Sequence, residues 1–87
     1  MNEVTCPCCG YKTLDEIGVY EICLICYWED DPIQRNEPNY EEGANRVSLK
    51  QGQKNYLNFG ACEYGMRRYT REPYKHENQD PNWIPLD

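Results

Sequence analysis

Two C-x2-C pairs, Cys6 with Cys9 and Cys23 with Cys26, stand thirteen residues apart near the start of an 87-residue chain. Two residues between thiolates let the backbone turn tightly enough for both sulfurs to reach one ion at about 2.3 Å, and two such turns together complete a tetrahedron. Pro7 pre-sets the first turn, and Gly10 lets the backbone leave it without a side-chain clash. The spacing predicts one structural zinc held by Cys6, Cys9, Cys23 and Cys26. Four thiolates suit iron as well, so a rubredoxin-like site stays open. Disulfides and a C-x-x-C redox pair fit less well: Cys8 and Cys9 are adjacent, and no alternating strand-helix pattern surrounds the motifs.

The segment Met1 to Cys6 has neither a basic leader nor an apolar stretch, and the longest apolar run is the seven residues Ile22 to Trp28. A cytoplasmic protein with no membrane span is expected. One small domain over residues 1–87 fits the length, with too thin a core to dispense with a metal.

Period-two alternation predicts a hairpin between the cysteine pairs. Tyr11–Leu14 forms one strand, Asp15, Glu16 and Gly18 form the turn, and Val19–Leu24 forms the second strand. Residues 29–46, rich in Asp, Glu, Asn, Pro and Gly, read as an acidic loop. A helix is predicted over 48–59, because Ser48 and Gln51 form a capping-box pattern. Leu49, Tyr56 and Phe59, with Leu57 beside them, form its apolar stripe, and Gly60 can close it. Gly52 inside that helix implies either a close contact or simple tolerance. The segment 61–87 is expected to be irregular, with Trp83 and Ile84 returning over the core and a frayed end. The expected class is a small α+β metal-stabilised domain: a zinc-ribbon-like hairpin with two cysteine knuckles, an acidic loop, one packed helix and an irregular tail.

Cys-Pro-Cys-Cys-Gly-Tyr-Lys-Thr-Leu from Cys6, Tyr-Glu-Ile-Cys-Leu-Ile-Cys-Tyr-Trp-Glu-Asp-Asp-Pro-Ile-Gln from Tyr20, and Gly-Ala-Asn-Arg-Val-Ser-Leu from Gly43 resemble the bacterial cysteine-rich CPCC family. The resemblance extends through the Asn-Tyr-x-x-Phe-Gly-Ala pattern, to about residue 62. It implies a small metal-binding protein and carries no established activity. The first half also resembles a zinc ribbon, although Tyr27 stands where a second ribbon knuckle usually has Gly.

Cys8 reads as a small side chain filling a tight corner, with a reactive thiol or exchange with Cys9 as alternatives. Cys62 reads as buried and His76 as a surface residue. Glu29, Asp30 and Asp31 are expected to accept hydrogen bonds from Asn45, Arg46 or the helix start at Ser48, with Trp28 packed over the hairpin. A hard-cation site there lacks further oxygen ligands at a recognised spacing.

Net charge is −6, split into −8 over residues 1–45, +5 over 46–75 and −3 over 76–87. The layout suggests two parts of one fold that attract each other. No catalytic constellation stands beside the cysteines, so a non-enzymatic, zinc-stabilised protein-interaction module of unknown partner is the first reading. The second is a nucleic-acid-binding zinc ribbon using Arg67–Lys75, where Arg67, Arg68, Arg71 and Lys75 interleave with Tyr64, Tyr69 and Tyr74. A pI of about 4.7 opposes it. The third is a thiol redox sensor on Cys8, for which no neighbouring base is evident.

Overall fold

The computed structural model describes residues 3–86. Two short strands, β1 (Val4–Thr5) and β2 (Lys12–Leu14), pair antiparallel across the first cysteine pair, with a bulge between Val4 and Thr5. A helix α1 (Pro32–Asn36), a longer helix α2 (Leu49–Phe59) and a 3-10 segment (Tyr64–Tyr69) follow. None of the described helices is long and apolar enough to cross a membrane.

The expected hairpin therefore exists with a different partner. Lys12–Leu14 pairs with Val4–Thr5, while Val19–Leu24 forms no strand. Tyr20 takes a left-handed φ of 64°, which ends any extended run, and only Ile22 bridges antiparallel to Glu29. The alternation of apolar residues in 19–24 leaves Val19, Tyr20 and Leu24 exposed instead of lining a sheet face.

The acidic loop contains a helix that the sequence reading lacked. Asp31 Oδ1 accepts from the amides of Ile33 (2.8 Å) and Gln34 (3.3 Å), and Pro32 begins the helix, where its missing N–H costs nothing. Burial alone would raise the Asp31 carboxyl, but the amides of Ala44, Ile33 and Gln34 outweigh it and hold it below its ordinary value. The buried Gln34 then organises the loop. Its Nε2 donates to the carbonyls of Tyr40, Asn45 and Val47, and its Oε1 accepts from the Asn45 backbone and side-chain amides.

The acids do not bind the predicted partners. Asp30, fully buried, is forked by Arg35 from α1, while Asn45 binds the backbone of Glu29 at both N and O. Among the described residues, Asp30 finds its counter-charge in Arg35, five residues away in the same acidic part, and Arg71 finds its own in Glu77 at 2.7 Å, which joins the basic part to the acidic last segment rather than to the acidic first part.

Helix α2 begins and ends as expected. Ser48 Oγ accepts from the Gln51 amide at 3.1 Å, and Gly60, at φ 82°, caps the C-terminus by donating to Tyr56 O. Gln51 turns along the helix to Asn55 rather than back to the cap. The inward face is Leu49, Gly52, Gln53 and the half-buried Tyr56, at i, i+3, i+4 and i+7. Leu57 lies off that face and is exposed, and Phe59 meets Tyr64 edge-on.

The core is Trp28, Leu14, Ile25 and Leu49 with all six cysteines. Trp28 sits inside it rather than over a hairpin, with Nε1 donating to Asp30 Oδ1. A Cβ on Gly52 would lie 3.3 Å from Cys8 Sγ and 3.5 Å from the Trp28 ring, so the glycine marks a close contact. Ala would gain about 1 kcal/mol of helix propensity. Cys8 cannot retreat, because its neighbours are fixed in the cysteine turn, and overpacking costs about 1–3 kcal/mol. Gly52→Ala should therefore lower stability in urea denaturation, by roughly 1 kcal/mol net. A gain would show that the Cys8 corner yields.

Candidate metal centre

The two cysteine pairs sit in turns built to the same pattern. In the first, the Cys6 amide donates to Tyr11 O (2.9 Å) and the Gly10 amide to Cys6 O (2.9 Å). In the second, the Cys23 amide donates to Trp28 O (2.8 Å) and the Tyr27 amide to Cys23 O (2.9 Å). The residue after each second cysteine is left-handed, Gly10 at φ 83° and Tyr27 at φ 71°. The missing glycine thus changes no backbone geometry; Tyr27 adopts the conformation itself.

Glycine is required at the first position for a further reason. A Cβ on Gly10 would fall 2.5 Å from the Trp83 ring. At the second position the Tyr27 ring stacks on Tyr69 at 5.0 Å, which compensates for the strained backbone. Tyr27→Gly should be close to neutral in denaturant, because relief of about 1–2 kcal/mol offsets the lost ring contact. Tyr27→Ala keeps the strain and loses the ring, so it should be the less stable variant. The reverse order would show that the left-handed turn is unstrained.

The four sulfurs of Cys6, Cys9, Cys23 and Cys26 all lie within 4.8 Å of one another and are buried. Cys6 Sγ is 3.6 Å from Cys26 Sγ, and Cys9 Sγ is 3.7 Å from Cys23 Sγ. Both cross-turn separations match the edge of about 3.8 Å expected for a tetrahedron with arms of about 2.3 Å. All six cysteines are free thiols.

Burial pushes the Cys6 and Cys26 thiols well up, and Cys9 rises chiefly through its contact with Cys23. Cys23 moves the other way, because Cys26, Cys6 and Cys9 surround it and Thr13 adds a further bond. A divalent cation at the centre would favour the thiolate form of all four, so the donor set fits a soft or borderline metal.

Thr13, from β2, donates its hydroxyl to Cys23 Sγ at 3.0 Å, and the Ile25 amide approaches the same sulfur at 3.4 Å. Such contacts orient a ligand and hold it as thiolate. Nothing in the sequence marked Thr13 beyond its place in an alternating strand.

Cys8 is wholly buried against α2 and Trp28, in agreement with a corner-filling side chain. Cys62 is buried as well, its thiol raised mainly by desolvation, and its amide donates to Cys26 O at 2.8 Å. His76 is exposed and stacks near Tyr74, away from the sulfurs.

The tail closes over the first turn. Trp83 Nε1 and Gln53 Nε2 both donate to Pro7 O at 2.8 Å, Gln79 Nε2 donates to Cys9 O, and the Asp80 amide donates to Gly10 O. Trp83 thus returns as expected, whereas Ile84 is exposed. The Leu86 amide is held by Gln53 at 2.7 Å, so the end is tied rather than frayed through that residue.

A family model described as Cysteine-rich CPCC matches residues 4–77. No curated protein matches the chain.

Proposed function

The chain belongs to the cysteine-rich CPCC family, and from that premise we propose that it is a protein-interaction module organised by one structural zinc. The observation that carries this reading is the gathering of four buried sulfurs by two turns of the same hydrogen-bond pattern. Cys6, Cys9, Cys23 and Cys26 would hold the ion, which would supply a cross-link between residues 6–9 and 23–26. Four protein thiolates complete a tetrahedral shell and leave no position for water, a closed site of structural type. An interaction role follows because the shell around the cluster presents apolar and aromatic side chains to solvent, including Leu24, Tyr64 and Tyr69.

Elemental analysis of protein purified without chelator should find about one zinc per chain. Replacement by cobalt(II) should give the intense thiolate-to-metal absorption of a tetrahedral sulfur site. Iron in place of zinc would reassign the metal. No bound metal, with all six thiols reacting freely, would overturn the site.

A second reading, single-stranded nucleic-acid binding, is favoured by one observation. The Arg67 and Arg71 guanidinium groups lie 3.5 and 3.9 Å from the ring centroids of Tyr64 and Tyr74, in an exposed segment suited to base stacking. Arg71 is already paired with Glu77, which weakens the surface as a polyanion site. Binding to a single-stranded oligonucleotide that falls steeply with salt would support this reading.

A further inference from the structure

We infer that the face around the second cysteine turn is a self-association surface, on which the apolar, acidic stretch 16–24 of one copy meets the arginine-tyrosine stretch 64–69 of a second copy, and reciprocally. This deepens the interaction-module reading above and rests on it.

Large apolar side chains are concentrated in the first stretch. Ile17 is 63% exposed, Val19 52% and Leu24 62%, with Tyr20 and Ile22 also open, all within eight residues. Scattered exposed apolar residues are ordinary, whereas a run of them marks an interaction site. Glu16 is exposed at the start of the run, and the half-buried Glu21 accepts the amides of Asp15 and Glu16 with Oε1, so both acids stay on the run's own loop. Tyr20 is held outward by a left-handed backbone that a tyrosine adopts only at a cost.

The second stretch lies beside the second turn. Tyr27 stacks on Tyr69, Ile22 and Met66 line one small cavity, and the Arg71 amide donates to Ile25 O. Tyr64 and Tyr69 are exposed, as are Arg67, which lies over the Tyr64 ring and donates Nε to Tyr64 O, and Arg68, 5.8 Å from the Tyr69 ring. The end of the apolar run, from Ile22 to Tyr27, therefore lies beside the cationic aromatic stretch, and the acidic start of the run leads into it along the chain.

Such a face is complementary to itself. A two-fold axis between the stretches sets each against its opposite on the other copy, and both are used at once. Aromatic and Arg side chains with few Lys are the composition that interface cores favour. A foreign basic peptide would cover the acidic stretch alone and leave the tyrosines in water. A second copy covers both, which selects it as the occupant.

Sedimentation equilibrium of the metal-loaded protein from roughly 1 to 200 μM should show the mass rising from 10.3 kDa toward twice that value, as for a dissociation constant of about 10 μM. The association should weaken several-fold at high salt. The variants Val19→Ser with Leu24→Ser, and Arg67→Ser with Arg68→Ser, should each remain monomeric. Mixing the two should restore a dimer, because one half of the reciprocal interface is then intact.

Metal content measured on every sample separates a folding failure from a lost surface. A metal-loaded wild-type monomer at 200 μM would overturn the proposal, as would variants that dimerise like the wild type. A single-stranded oligonucleotide bound by that monomer would assign the arginine-tyrosine stretch to nucleic acid instead. A dimer in protein free of metal would support this surface while sinking the zinc assignment.

Discussion

Stripping the metal from the loaded protein with a strong chelator should abolish its cooperative unfolding transition. The expectation follows from what the core is made of. Leu14, Ile25, Trp28 and Leu49 are its large apolar side chains, and six cysteines fill the rest. The sheet is two strands of two and three residues, which is marginal on its own. A small domain has a net stability of about 5–15 kcal/mol, while a structural zinc contributes about 10–16 kcal/mol of apparent binding energy in comparable small sites. Without the ion, four buried sulfurs lie within 4.8 Å of one another with no cation to hold them together. Far-ultraviolet circular dichroism and Trp28 fluorescence during a urea titration would record the outcome. A sigmoidal transition that survives chelation with little change in midpoint would show that packing alone suffices. Acid should act in the same direction, since the ligating thiols must lose their protons: affinity falls as pH falls. Cys23→Ser should mimic chelation. Cys62→Ser should be milder, because Cys62 lies outside the four-sulfur cluster.

Arg35→Ala should cost about 3–5 kcal/mol in the metal-loaded protein. Asp30 is fully buried, and its carboxylate accepts Arg35 Nε at 3.0 and 3.1 Å, Arg35 Nη2 at 2.9 Å, the Gly18 amide at 2.8 Å and Trp28 Nε1 at 3.3 Å. Arg35 also donates to Thr5 O at 3.0 Å, so one guanidinium joins β1, α1 and the approach to the second turn. Truncation leaves a carboxylate in the interior with only two neutral donors. Arg35→Lys retains the charge but not the fork, so its loss should be intermediate. Chemical denaturation at fixed metal occupancy provides the measurement. A loss below about 1 kcal/mol would mean that the pair is solvated in solution, like ordinary surface pairs.

The features that could be read from the sequence are those decided by near neighbours. Ser48 and Gly60 bound α2 through bonds made within a few residues, and both act as their positions suggest. The cysteine spacing likewise encodes two local turns, which explains why Cys6, Cys9, Cys23 and Cys26 could be named together. Val19–Leu24 misled because apolar alternation resembles a half-buried strand whether or not a partner strand exists. Asp31-Pro32 carried a start signal for α1 that its loop-like surroundings obscured. Trp28 beneath α2, Thr13 on Cys23 and Trp83 on Pro7 depend on contacts between distant segments, and no local pattern encodes them. The charge segregation was visible, but it did not identify which charges pair.

The closure of the tail over the first turn has a consequence for birth order. All four sulfurs have left the ribosome's catalytic centre once Cys26 is joined, yet Trp83 follows 57 residues later. At about 5–20 residues per second, roughly 3–11 s of translation separate the two events. During that interval the Pro7 carbonyl lacks Trp83, Cys9 O lacks Gln79, and the ring that later covers Gly10 has yet to be made. The nascent chain therefore has a period in which a cation can reach the thiols from the side that the finished protein covers. Residues 79–83, made after all four cysteines, are thus the cover that closes over the first turn.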